Sequence, residues 1–220
     1  LNFSIAHQFK LPAAPSQVLL PGAAGYKDWH FKPNHGIEEK TGFGIRRENS
    51  EWVCVMTAIV AIVGGSNSGK TTLIEKLIPV FRRKGYRVGT IKHVMHEMVF
   101  DQSGKDSWRH AGAGADTVMV DADEQIVLLK TRIRPRAADR LKNYVAAYFS
   151  DMDIVLAEGY KNQNLPKIEV YRENSRTGPV CLEDPDLAGL VTDAKTDAGV
   201  PCFGLDDIES IVHLIIQTIS

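Results

Sequence analysis

Cysteine is scarce in this chain of 220 residues: there are three, Cys54, Cys181 and Cys202. Odd in number and widely spaced, they exclude a disulfide framework and a four-ligand zinc site. A reduced, cytoplasmic compartment is the simplest expectation. An excess of one charge is also missing. The 26 Lys and Arg nearly cancel the 27 Asp and Glu, leaving a formal net charge of −1. The basic surplus with which nucleic-acid binders neutralise phosphates is therefore lacking. Long hydrophobic runs are absent as well. The longest mainly apolar stretch, Trp52 to Val63, runs into glycines and a lysine, well short of the roughly 20 residues a bilayer needs. No charged segment followed by an apolar core opens the chain as a signal peptide would. Neither nucleic acid nor membrane is an expected partner. What is present, 44% hydrophobic and 24% charged residues, is the composition of a folded globule and not of a disordered or collagen-like chain.

The chain changes character near Met56. Residues 1–55 hold Trp29, Trp52 and four prolines (Pro12, Pro15, Pro21, Pro33), with one short strand-like stretch at Gln17–Leu20. Beyond them, apolar segments alternate regularly between strand-like and helix-like. The sequence opens on Leu1, and Met56 stands directly before a buried-strand pattern. The expectation is an appended leader over 1–55 and one nucleotide-binding domain over 56–220. The competing reading, a small subdomain packed on the rest, would show as a protease-resistant 1–55.

Thr57–Val63 is a continuous apolar, β-branched run, the pattern of a central strand covered on both faces. Leu73, Ile74, Leu77, Ile78 and Phe81 recur at helical spacing over Lys70–Lys84, with Gly85 to close the helix and Pro79 inside it to kink it. Further strands are expected at Arg87–Ile91, Thr117–Val120, Glu124–Lys130, Asp153–Ala157, Lys167–Tyr171 and Leu187–Val191. Helices are expected at Asp106–Ala113, Arg136–Phe149 and Asp207–Ile219, the last opened by a capping box of Asp206 and Glu209. Such alternation argues for an α/β fold with a doubly wound, mostly parallel sheet.

Between the first of these strands and the first helix lies Gly64-Gly65-Ser66-Asn67-Ser68-Gly69-Lys70-Thr71, followed by Thr72. It matches G-x-x-x-x-G-K-[ST] in full and in the setting the motif needs, after a buried strand and opening an amphipathic helix. The glycines let successive N–H groups point inward around a phosphate, and the helix N-terminus adds partial positive charge. Lys70 can reach the β- and γ-phosphates and Thr71 can hold Mg²⁺. A nucleoside phosphate is the expected ligand of this P-loop.

Ligands of open α/β sheets sit beyond the carboxyl ends of the strands, so position along a strand sorts the candidate acids. Asp153 begins and Glu158 ends one strand, about 17 Å apart at 3.3 Å per residue. Glu158 is at the right end for the Mg²⁺ shell, where it acts through water or orients the nucleophile. The same criterion collects Lys92, His93, Asp121, Thr192 and Asp193 at that edge. Asp101, in the loop after the second strand, is a candidate switch carboxylate, with a solvated loop acid as the competing reading. Lys70, Glu158 and Asp101 are thus the candidate catalytic residues, and Thr71, Glu158 and Asp101 the candidate metal ligands. His93 and His96 lack the further ligands of a structural metal site. Lys105 and Asp106 open a short helix dense in anion donors, with Trp108 read alternatively as core. Arg132, Arg134, Arg136 and Arg140 form a basic cluster. Base choice is weakly encoded. In place of N-K-x-D stands Ala194-Lys195-Thr196-Asp197, while Asp193 is placed to accept from guanine.

The segments GGSNSGKTTLIEKLIP, RVGTIKH, DQSGKDSWRHAGA, VLAEGYK, LPKIEV, VTD and VPCFGLDDI together resemble the MobB family, adaptor proteins of molybdopterin-guanine dinucleotide biosynthesis. The resemblance spans Thr57 to Ser220. It implies a dimeric P-loop protein that binds GTP with Mg²⁺, hydrolyses it slowly and works beside the guanylyltransferase MobA on molybdopterin. By position it implies that Gly64–Thr72 cradle the phosphates and that Lys92, His93, Lys105 and Asp106 line the same cleft. Two other classes stay open. A metallochaperone GTPase would want a Cys/His site that the cysteine spacing does not offer. A small-metabolite kinase would want an arginine-rich lid, for which Arg132–Arg140 is the only candidate.

Overall fold

The computed structural model describes residues 43–48, 51–94, 101–130, 140–175 and 177–219, with side chains described from Thr57 onward. In chain order the elements are β1 (Phe43–Glu48), β2 (Glu51–Met56), β3 (Ala58–Val63), α1 (Lys70–Arg83), β4 (Val88–Lys92), α2 (Asp106–Gly112), β5 (Thr117–Ala122) and β6 (Gln125–Lys130). They continue with α3 (Arg140–Tyr148), β7 (Ile154–Glu158), β8 (Lys167–Tyr171), β9 (Leu187–Thr192), β10 (Cys202–Phe203) and α4 (Ile208–Ile219). Six strands form one sheet in the order β10-β9-β8-β3-β7-β4, and every neighbouring pair runs parallel. The fold is α/β, of the P-loop type that the alternating pattern predicts.

Alternation along β3 and β7 divides the core into two layers. Val60, Ile62, Ile154 and Leu156 face α1 and α4, where Leu77, Phe81, Ile211 and Ile215 are fully buried. Val155 and Ala157 face the other way, onto Leu141 and Val145 of α3. Each such side chain contributes about 1.5–3 kcal/mol on leaving water, so the sheet is held from both sides and its strand ends are fixed in space.

The helix expected after the P-loop is present as α1, with Pro79 inside it. Other expectations change here. β5 and β6 do not join the sheet: they pair with each other, antiparallel, as a separate hairpin. The link between them, Asp123 and Glu124, is too short for the crossover that a parallel partner requires. Asp121 is therefore not at the sheet edge beside the P-loop. The proposed capping box of α4 does not form either. Asp206 pairs with Lys76 at 2.7 Å, and Glu209 with Arg83 at 3.1 Å and Lys84 at 3.4 Å, so both acids tie α4 to α1. Trp108 is 43% exposed and is not core. Ahead of the sheet, β1 and β2 pair as a hairpin that the sparse periodicity of FGIRRE concealed. The strand expected at Gln17–Leu20, together with His96, Arg132, Arg134 and Arg136, lies outside the described residues. Among the described residues no helix is long and apolar enough to cross a membrane.

Candidate nucleotide-binding site

The loop from Gly64 to Gly69 turns out of β3 at the carboxyl edge of the sheet. Gly64 has φ 136°, and a Cβ there would lie 2.2 Å from the Val170 carbonyl oxygen. Only glycine fits where the loop crosses β8. Asn67 takes the left-handed conformation at φ 58°, which its short polar side chain tolerates. The loop delivers α1 with its first N–H groups toward the opening. Lys70 Nζ folds back to donate to the carbonyl oxygens of Gly64, at 3.2 Å, and Gly65. Burial pushes the Lys70 ammonium below the ordinary lysine value, and Lys92 adds to this while Glu158 opposes it.

β7 supplies the acid. Glu158 pairs in register with Ile62 on one side and Lys92 on the other. Period-2 alternation puts it on the same face as Ile154 and Leu156, beneath the first turn of α1. There the Thr71 hydroxyl lies 3.2 Å and 3.1 Å from its two carboxylate oxygens. Lys92 Nζ pairs with Glu158 Oε1 at 3.1 Å. Directly after Glu158, Gly159 takes φ 106° and turns the chain past His93, whose N–H donates to the Glu158 carbonyl at 2.9 Å. The opening between these groups is a cleft of about 570 Å³, lined by Ser66, Asn67, Gly69, Lys70, Thr71, Thr72, Lys92, His93, Val94 and Glu158. Such a volume lies within the range of small-ligand clefts.

Other candidates lie elsewhere. Lys105 and Asp106 do not line the cleft. They open α2, which packs toward β5, and Asp106 faces Arg109 of its own helix at 3.5 Å. Asp101 also stands outside the cleft lining: its Oδ1 accepts from the Gln102 N–H at 2.8 Å and its Oδ2 is buried without a hydrogen-bond partner among the described residues. Asp193 directly follows β9 with both oxygens engaged, one by the Glu173 N–H at 2.8 Å and one by Arg172 at 3.1 Å. The Glu173 N–H, and less strongly Arg172, hold its pKa below the ordinary carboxylate value. Asp153, at the opposite end of β7 from Glu158, is taken up by the Arg87 N–H at 2.7 Å and by the Arg87 guanidinium. Among the described residues no group of three or more His, Cys, Asp or Glu is placed to hold a metal.

Sequence reading missed two features of the site. Ser68 Oγ is buried with no hydrogen-bond partner among the described residues, a position that pattern matching cannot distinguish from the motif's other variable residues. The hydroxyls of Ser175 and Thr177 stand beside Gly65, 3.8 Å and 3.6 Å from where a Cβ would be. They are brought there by a loop after β8 that carries no periodic signal.

With this geometry in place, comparison with known proteins is decisive. The family pattern described as molybdopterin guanine dinucleotide synthesis protein B matches residues 59–193. The chain belongs to the MobB family. It is 41% identical to the molybdopterin-guanine dinucleotide biosynthesis adapter protein of Haemophilus influenzae over 71% of this chain and 86% of that one. The Escherichia coli protein of the same description is 29% identical over 74% of this chain and 93% of its own. The crystal structure of Bacillus subtilis MobB superposes with a TM-score of 0.57 at 27% identity, covering 74% of this chain and 98% of that one. The matched family region contains the P-loop, Lys92 and Glu158, which include all of the cleft's charged residues, and Asp193 outside the cleft.

Proposed function

We propose that this MobB-family chain binds GTP in the cleft at the start of α1 and serves as an adaptor in molybdopterin-guanine dinucleotide biosynthesis, beside the guanylyltransferase MobA and its molybdopterin substrate, in the cytoplasm. The observation that carries the nucleotide reading is Lys70 folded onto the carbonyls of its own Gly-rich loop, facing the cluster of Thr71 and Glu158. On arrival of a phosphate, Lys70 exchanges two neutral acceptors for charged ones, which strengthens its hydrogen bonds. Gly64–Gly69 and Thr72 surround the phosphates, and His93 closes the far wall. Guanine is preferred over adenine by resemblance to the family, with Asp193 the candidate reader once Arg172 yields it.

Mg²⁺ fits the donor set. A hydroxyl and one carboxylate are hard oxygen ligands, and Mg²⁺ is commonly held by one or two carboxylates together with substrate phosphates. Thr71 and Glu158 would hold it, and when bound it neutralises charge on the phosphate oxygens. The same corner supports slow hydrolysis to GDP and phosphate. Glu158 is buried, fixed in register and able to orient a water, whereas no arginine among the described residues lines the cleft to stabilise transferring phosphate. The site is built without Asp101, Lys105 and Asp106. A homodimer is part of the proposal. The β5–β6 hairpin leaves Met119, Val120, Ile126, Val127 and Leu128 each at least 37% exposed, an apolar surface suited to a second copy.

Calorimetric titration with GTP and with ATP, each with Mg²⁺, tests the reading. Preferential GTP binding is expected, and no binding of either nucleotide overturns it. Labelled GTP offered with a panel of small acceptors separates the alternatives. Release of phosphate to water supports the adaptor, and transfer of the γ-phosphate to an acceptor makes the protein a kinase.

A further inference from the structure

Glu158 and its cationic neighbour are unequal partners. The Glu158 side chain is 12% exposed and pinned between two strands, while the Lys92 side chain is 57% exposed and sits on the edge strand β4. A buried carboxylate is costly unless a cation or several hydrogen bonds accompany it. The Thr71 hydroxyl supplies one donor, and the Lys92 ammonium supplies the charge. That ammonium also lies 3.4 Å from Thr71 Oγ1. It therefore touches both side chains that are available to Mg²⁺, the hydroxyl and the carboxylate. Its placement is built into the sheet, because Lys92 and Glu158 are register partners on adjacent parallel strands and so project on the same face.

We propose that Lys92 is a tethered counter-cation that holds the metal position of this cleft until a divalent ion displaces it, and that it lets the cleft accept a nucleotide's phosphates without metal. Rigid anion and mobile cation make the exchange inexpensive. The metal meets a carboxylate already fixed in place, and Lys92 swings into solvent or onto a phosphate oxygen with little loss of packing. Lys70 is engaged otherwise: its ammonium donates to the Gly64 and Gly65 carbonyls and acts on Glu158 only through space, whereas Lys92 pairs with the carboxylate directly. Lys92 thus acts as a positioning residue for Glu158 and as a metal substitute toward phosphate. The inference rests on the nucleotide reading of the cleft for its second half only.

Two measurements on the full chain test it. The first compares GTP affinity with Mg²⁺ and with EDTA for the wild type, Lys92→Met and Lys92→Arg, with circular dichroism to establish that each is folded. The wild type and Lys92→Arg are expected to lose about tenfold or less on metal removal, and Lys92→Met about a hundredfold, since only the last leaves Glu158 without a directly paired cation. The second titrates the nucleotide-free protein with Mn²⁺ alone, read by electron paramagnetic resonance. Lys92→Met is expected to bind Mn²⁺ at least about tenfold more tightly than the wild type, because its carboxylate is no longer paired. Equal metal dependence in all three proteins, or an arginine variant that behaves like the methionine one, overturns metal substitution. Equal Mn²⁺ affinity overturns occupancy of the metal position. A wild type that binds no nucleotide removes the GTP reading, and the Mn²⁺ titration then decides the role of Lys92 by itself.

Discussion

Two buried glutamates flank the P-loop strand, and they differ in the kind of partner each has. Glu158 on β7 pairs in register with Ile62, and Glu169 on β8 with Val63. They stand almost level, one on each side of β3 and on opposite faces of the sheet. Relative exposures of 9% and 1% make both of them buried acids at the edge where ligands bind. Glu169 accepts from the backbone N–H groups of Val180 and Cys181. These donors cannot leave, and they lock the returning loop onto the sheet. Glu158 accepts from a hydroxyl and an ammonium on side chains that can turn away. A carboxylate satisfied by backbone is a structural clamp, whereas one satisfied by exchangeable side chains is free to take a metal or a water. Burial and charge alone do not separate the two cases.

The largest expected effect tests the clamp. Glu169→Ala removes both acceptors and leaves the Val180 N–H and the buried Cys181 N–H without them, a cost of about 3 kcal/mol or more. Chemical denaturation should show the loss, and Glu169→Gln, which keeps one acceptor, should recover part of it. A change under about 0.5 kcal/mol would mean that the loop is held by something else. Next comes the phosphate side. Lys70→Ala is expected to weaken GTP binding about a hundredfold, close to 2.7 kcal/mol, without lowering the thermal midpoint. Unchanged affinity by calorimetry would remove the P-loop from the site. Glu158→Gln sharpens the contrast with Glu169. It should keep the fold and bind GTP but slow hydrolysis by at least about tenfold, whereas wild-type turnover would take Glu158 out of the reaction.

The sequence reveals the pieces of this site that depend on local rules. A buried β-branched run, a Gly-rich turn and an amphipathic helix place Gly64–Thr71, and counting along DIVLAEG puts Glu158, not Asp153, at the ligand edge. What it conceals depends on pairing at a distance. Asp121 lies at a strand end by the same count, but its strand pairs with β6 and never reaches the sheet. Periodicity identifies a strand and says nothing of its neighbour. Asp206 and Glu209 fit a capping box by spacing, yet Lys76, Arg83 and Lys84 draw both acids away from the helix's own N–H groups. Glu169 gives no signal at all, because the N–H groups it serves belong to residues 11 and 12 positions further along. The Lys92–Glu158 pair is 66 residues apart in sequence, and it becomes visible only once β4 and β7 are known to be register partners.

The smallest expected effect comes from the far end of β7, where the comparison can be made within one strand. Asp153 accepts from the Arg87 N–H at 2.7 Å and pairs with the Arg87 guanidinium at 3.3 Å, so it carries one backbone donor, like Glu169, and one side-chain cation, like Glu158. Its location decides its role, because this is the amino end of the sheet, away from the phosphate loop. Asp153→Asn keeps an acceptor for the N–H and gives up the ion pair, and the Arg87 side chain is partly in solvent. About 1 kcal/mol of stability should go, with GTP affinity the same in variant and wild type. A shift in affinity of more than about threefold, roughly 0.7 kcal/mol, would mean that the two ends of β7 are energetically coupled. Strand position would then no longer separate the ligand acid from the structural one.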